Sequence, residues 1–165
     1  PQSDVLGEKS WPTPNTALPN VSRAPLASLK LSPDDAFGQQ RGTVASVALL
    51  SSAVGMMAFQ PTSFGGTIEY PGIAGGTNKG GLAFEPSNGI AVLNMTHVPF
   101  GLKLIARDEF ETERSKRPSD TQFAQQLDTP VGMSRAPLLS PIGLPCHKPP
   151  WGTVVAVDLA TSEVK

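Results

Sequence analysis

Between Pro149 and Asp158 the chain reads Pro-Pro-Trp-Gly-Thr-Val-Val-Ala-Val-Asp. No other phrase limits its possible architecture so tightly. A turn-forming Pro-Pro-Trp-Gly leads into β-branched and small residues in alternation over Gly152–Asp158, the pattern of a half-buried strand. The same construction recurs upstream. Gly66–Tyr70 alternates and stops at Pro71-Gly72. Gly81–Glu85, a turn at Pro86–Gly89 and a return over Ile90–Asn94 read as a hairpin. Leu102–Ala106 adds a further strand. With 17 Pro and 16 Gly in 165 residues, turns recur too often for long helices, and many short strands are favoured. The expected fold class is all-β with long Pro/Gly-rich loops. Successive strands on short turns are what a propeller blade requires.

Charge narrows the partners. Thirteen basic and 14 acidic residues leave a net charge of −1, so there is no electrostatic case for nucleic acid or for an anionic membrane surface. One cysteine permits no internal disulfide. His97 and His147 are too far apart in sequence to make a metal motif.

The chain divides by composition. Residues 1–42 are expected to be irregular, broken by Pro1, Pro12, Pro14, Pro19, Pro25 and Pro33; a disordered tail has the same composition. Residues 43–165 hold the strand patterns. Within them Thr43–Phe59 is apolar and uncharged, about the length of one short membrane span. Its serines and Gly55, and the lack of flanking anchors, favour a buried helix or two short strands. Arg107–Gln126 is charge-dense with mixed signs, which predicts a solvated loop or short helix.

Several phrases resemble one family. Leu138-Leu-Ser-Pro-Ile-Gly-Leu-Pro-Cys146-His-Lys-Pro-Pro-Trp-Gly152 is similar to the LSPxGxPCxxPPWG segment of the membrane-bound, pyrroloquinoline-quinone-dependent sugar and polyol dehydrogenases, the membrane glucose and quinate dehydrogenase type. Phe59-Gln-Pro-Thr-Ser63, Gly66-Thr67, Pro71-Gly72 and Gly75-Gly-Thr-Asn-Lys-Gly-Gly81 resemble its FxPPS…GT…PG…GGxNWGG series, with Lys79 in place of the Trp. Gln2-Ser-Asp-Val-Leu-Gly-Glu8 is similar to its SDVPGE. Ala156–Lys165 resembles the phrase A-x-D-x-x-T-G-x-x-x-W, in which Asp and Thr close a tight turn; Ser162 stands at the Gly.

The resemblance implies a partial β-propeller, one to two blades of an eight-bladed quinoprotein propeller. Residues 1–42 would be a strap and 43–165 a propeller segment truncated at its C-terminus. It implies a parent enzyme that oxidises a sugar or polyol hydroxyl with pyrroloquinoline quinone and a divalent cation, calcium or magnesium. The parent would pass electrons to ubiquinone at the periplasmic face of the inner membrane, held there by a missing N-terminal region. Asn94 matches an Asn among the family's quinone contacts, which implies a cofactor contact; on pattern alone the turn cap is the preferred reading. No catalytic residue and no metal ligand is nominated within this chain. Cys146-His147 reads as a structural Cys beside a surface His, and Asp158 belongs to the turn. The alternative is a degenerate or truncated propeller segment without catalysis, in a structural or interaction role. Lys79, Ser162 and the apolar Thr43–Phe59 run point that way.

Overall fold

The computed structural model describes residues 31, 35–37, 61–77, 80–116, 120–140 and 142–165. Most of the expected strap, the Thr43–Phe59 run and Lys79 lie outside the described residues. Among the described residues eight strands and one short helix follow in order: β1 (Thr67–Glu69), β2 (Leu82–Glu85), β3 (Ile90–Thr96), β4 (Phe100–Ala106), α1 (Phe110–Ser115), β5 (Gln122–Ala124), β6 (Val131–Pro137), β7 (Gly152–Asp158) and β8 (Glu163–Val164). They form two four-stranded antiparallel sheets, ordered β1-β4-β6-β5 and β2-β3-β7-β8. This is the all-β architecture of a partial propeller, with four-stranded antiparallel sheets as its units.

The expected hairpin is present. β2 pairs β3 from Leu82↔Leu93 to Glu85↔Ile90. Its turn is held by the Glu85 carboxylate, which accepts from the backbone N–H groups of Ser87 and Asn88 at 3.1 and 2.8 Å. Gly89 sits at φ 65°, a left-handed conformation that glycine adopts without steric cost. β4, by contrast, does not extend this hairpin as a third strand. It crosses to the other sheet, between β1 and β6.

The reason lies at residues 97–99. β3 and β7 pair through seven rungs from Ile90↔Asp158 to Thr96↔Gly152. Pro99 then interrupts, because proline has no N–H to give to a ladder, and it is fully buried. The ladder resumes beyond it as β4 against β6, from Phe100↔Pro137 to Ala106↔Val131. Residues 90–106 and 131–158 therefore make one long, bent antiparallel pair, with residues 138–151 looping out on one side. Three bonds of 2.9 Å tie the bend: His97 N–H to Trp151 O, Leu138 N–H to Pro99 O, and Gly72 N–H to Val98 O.

Each sheet has its own packing. In the first, Phe110 of α1 is buried beneath β6, and its ring occupies the space a side chain at Gly132 would need: a Cβ there would lie 2.1 Å from Phe110 Cδ2. Phe123 meets the same ring edge-on at 6.0 Å. Burying one such phenyl group contributes about 1.5–3 kcal/mol. Leu31 packs with Ile68, Tyr70 and Leu138 at the sheet's other end. In the second sheet the register puts Leu82, Phe84, Leu93, Val155, Val157 and Val164 on one face. Leu82 and Phe84 are 59% and 52% exposed while Ala91 and Met95 on the same face are buried, so this apolar face is open along its β2 edge.

β7 ends in a turn that answers the Ser162 question. Asp158 Oδ1 accepts from Ala160 N–H at 2.9 Å and Thr161 N–H at 3.2 Å, and Ser162 N–H donates to Asp158 O at 2.7 Å. Those bonds hold the Asp158 carboxyl below its ordinary range. Ser162 has φ 61°, the left-handed conformation natural to the glycine it replaces. A non-glycine residue there costs roughly 1–2 kcal/mol, partly offset by the freedom glycine loses on folding. Ser162→Gly should therefore raise stability by about 0.5–1 kcal/mol in urea unfolding; a loss of stability would contradict this turn geometry.

Candidate functional site

The glycine-rich stretch after β1 lies against the end of β3. Gly76 and Thr96 exchange both backbone bonds, N–H to O at 3.0 and 3.2 Å. Gly76 and Gly81 take φ 59° and 61°, and the open space around both shows that backbone conformation, not crowding, selects glycine there. No helix follows the stretch; β2 does. A helix-opening phosphate loop is thus excluded here.

Asn94 sits inside β3, not at its end, because β3 continues to Thr96 in pairing with the start of β7. It caps no turn. Its residue is exposed, and its amide lies against Gly80: a Cβ on Gly80 would come 2.4 Å from Asn94 Oδ1 and 3.1 Å from Cγ and Nδ2. Val154 stands directly across in register and is 76% exposed. Bare loop backbone, a primary amide and an isopropyl group thus share one open region. The amide brings two N–H donors and a carbonyl acceptor.

The bend holds the buried polar groups. His97 is buried and its Nε2 lies 2.9 Å from Thr153 Oγ1. Cys146 is fully buried, a structural residue as expected. His147 is not the surface residue expected: it is 4% exposed. Residues remote in sequence cover it. It bridges Ala36, and Tyr70 meets its ring edge-on at 5.6 Å. Trp151 Nε1 donates to its carbonyl at 2.8 Å, while Phe37 packs edge-on against the indole at 5.9 Å. Neither ring nitrogen of His147 has a hydrogen-bond partner among the described residues. Burial, aided by the neighbouring His97, pushes the His147 pKa down, and Asp35 opposes the shift. On the first sheet, burial raises the Glu69 carboxyl, an effect that Arg135 and the Ile73 backbone only partly offset.

Away from Asn94, a concavity of about 310 Å³ lies over the first sheet, lined by Ile68, Gly101, Lys103, Ser134 and Leu138 among others. Among the described residues no group of three or more His, Cys, Asp or Glu side chains is placed to hold a metal ion. No helix of the described residues is long and apolar enough to cross a membrane.

Comparison with known proteins decides the family. The model of the PQQ glucose/ethanol/alcohol dehydrogenase β-propeller domain matches residues 1–165. The chain belongs to that family. It is 37% identical over 111 residues to a quinoprotein glucose dehydrogenase of Escherichia coli (strain K12), a match covering 64% of this chain and 14% of that protein. To quinoprotein glucose dehydrogenase A of Acinetobacter calcoaceticus it is 37% identical over 107 residues, covering 64% and 13%. To a quinate/shikimate dehydrogenase (quinone) of Acinetobacter baylyi (strain ATCC 33305 / BD413 / ADP1) it is 27% identical over 103 residues, covering 59% and 13%. The aligned part is thus a small fraction of these PQQ-family relatives' length. No solved structure matches the chain.

The bend of this PQQ-family segment carries a pH dependence. Above the ordinary imidazole value of 6.5 both folded and unfolded chains hold His147 neutral. As pH falls below it, the unfolded chain takes a proton that the buried ring resists, so stability declines. Tyr70, His97 and Asp35 face that ring, and of these Asp35 limits the decline. Urea midpoints at pH 8 and pH 5 should therefore differ less for His147→Phe than for the unmodified chain. An equal difference would show that His147 does not govern it.

Proposed function

We propose that this chain is a segment of a quinoprotein dehydrogenase that oxidises a sugar or polyol hydroxyl, and that Asn94 contacts the quinone. The observation carrying this reading is the exposed Asn94 amide seated on the glycine-rich loop, at a point where a single added Cβ would collide with it. The relatives named as glucose and quinate/shikimate dehydrogenases support the substrate class. When bound, pyrroloquinoline quinone supplies the electron acceptor for alcohol oxidation, and the protein's part is placement and electrostatics. The Asn94 amide is suited to donate to a carboxylate or quinone oxygen. The bare backbone at Gly80 leaves room for the Asn94 amide itself, and the exposed Val154 offers a flat group apolar contact beside it.

The remaining parts of the parent extend the same reading. Residues 1–42 form a strap and 43–165 the propeller segment. A calcium or magnesium ion is held by residues outside this chain, as is the catalytic base. Ubiquinone takes the electrons at the periplasmic face of the inner membrane. The alternative is a non-catalytic propeller segment, and Ser162, a non-glycine residue at a left-handed φ, remains among its supports.

In the full-length parent, Asn94→Ala should weaken equilibrium binding of pyrroloquinoline quinone about 10- to 100-fold, the loss expected of one hydrogen bond to a charged acceptor. The apo melting temperature should stay unchanged because the side chain is exposed. Unchanged affinity would remove Asn94 from the site, and a parent that binds no quinone at all would favour the non-catalytic alternative.

A further inference from the structure

We propose that Gly80 is a positioning residue for the cofactor site: its bare Cα sets the direction in which the Asn94 amide presents its N–H donors. The inference rests on the reading of Asn94 as a quinone contact.

Four described glycines lie in the Gly75–Gly81 stretch, and they are glycine for different reasons. Gly76 and Gly81 take left-handed φ values of 59° and 61°, with nothing within 4 Å of an added Cβ. Gly75 folds back on its own turn: a Cβ there would lie 2.3 Å from Pro71 Cβ and 2.7 Å from Gly72 O. Gly80 differs from all three. Its φ lies outside the left-handed region, so its backbone would accept alanine without strain. Each of the nearest atoms to its added Cβ belongs to the Asn94 side chain, at 2.4 Å for Oδ1 and 3.1 Å for Cγ and Nδ2. Only the amide of Asn94 forbids a side chain at residue 80.

That contact orients the amide because the other end of Asn94 is fixed. Its backbone is in a ladder, opposite Val154, with paired residues on both sides along β3. The strand cannot yield to a methyl group at residue 80, whereas the amide turns about two side-chain torsions. Gly80→Ala therefore swings the donors away from their present direction while leaving β3 and the loop backbone in place. For a planar ligand bearing several carboxylates, hydrogen bonding is directional and weakens steeply as the donor angle falls. An amide turned aside loses its bond without being removed.

The test is a double-mutant cycle in the full-length parent, read by equilibrium titration of the apoprotein with pyrroloquinoline quinone and by apo melting temperature. Gly80→Ala is expected to weaken binding about tenfold, with the melting temperature unchanged. In an Asn94→Ala background the same change should cost nothing further, since no amide remains to be displaced. A role confined to folding would not produce that dependence. Losses that add, or a Gly80→Ala protein that binds as tightly as the unmodified one, overturn the proposal and leave the Asn94 reading standing. An Asn94→Ala protein with full affinity overturns both. If Gly80→Ala lowers the melting temperature instead, Asn94→Ala must relieve that loss; its persistence in the double variant also overturns the proposal.

Discussion

Everything in this structure depends on how one long antiparallel pair is bent and then held. Pro99 withholds an N–H from the ladder, and β3 against β7 gives way to β4 against β6. Left alone, such a break would be a hinge between two small sheets, neither with much core of its own. The backbone bonds at Gly72, His97 and Leu138 close it from three directions. Cys146, His97, His147 and Pro99 fill its interior, and the two buried imidazoles make that interior unusually polar. Burying a polar group without a partner is unfavourable. The junction holds because aromatic rings and backbone bonds surround the imidazole of His147 on several sides.

The same bend places the candidate site. Thr96, the last residue of β3, is bonded to Gly76, so the glycine loop is anchored one residue before the bend and Asn94 lies two residues further back. The site's rigidity is thus borrowed from a junction made by residues from four separate parts of the chain. Catalytic and binding groups placed on loops work when a stiff scaffold fixes those loops. Here the scaffold is two sheets whose central pairs, β3–β7 and β4–β6, follow one another through the bend.

Much of this was legible from the chain. Gly152–Asp158 is a strand with the limits its alternation indicates, and the Leu82–Glu85 and Ile90 strands meet at the expected turn. Both signals are local, set by period-two patterning and turn chemistry. β6 was not legible. Its alternation is diluted by Gly132, Ser134 and Pro137, and Gly132 makes sense only against Phe110, which a tertiary contact brings in. The crossing of β4 was not legible either, because its partners β1 and β6 are set by long-range pairing that no local pattern marks. His147 misled for a related reason: a Pro-bounded loop looks solvated until Ala36 and Tyr70 are placed over it. For Asn94, residue type and family resemblance named the position. The Gly80 contact that gives it an orientation has no signature in the glycine spacing.

Native-state hydrogen exchange on the protein tests most directly whether the two sheets act as one body. The measured quantity is the opening free energy of individual amides on both sides of Pro99. The amides of His97 and Leu138, which close the bend, should open together with those of β4 and β7 in a single cooperative unit. β2 and β8, at the edges of their sheet, should exchange sooner. If β3–β7 and β4–β6 instead open at separate free energies, with the His97 and Leu138 amides unprotected, the bend is a hinge and the account of a scaffold fixing the glycine loop is wrong.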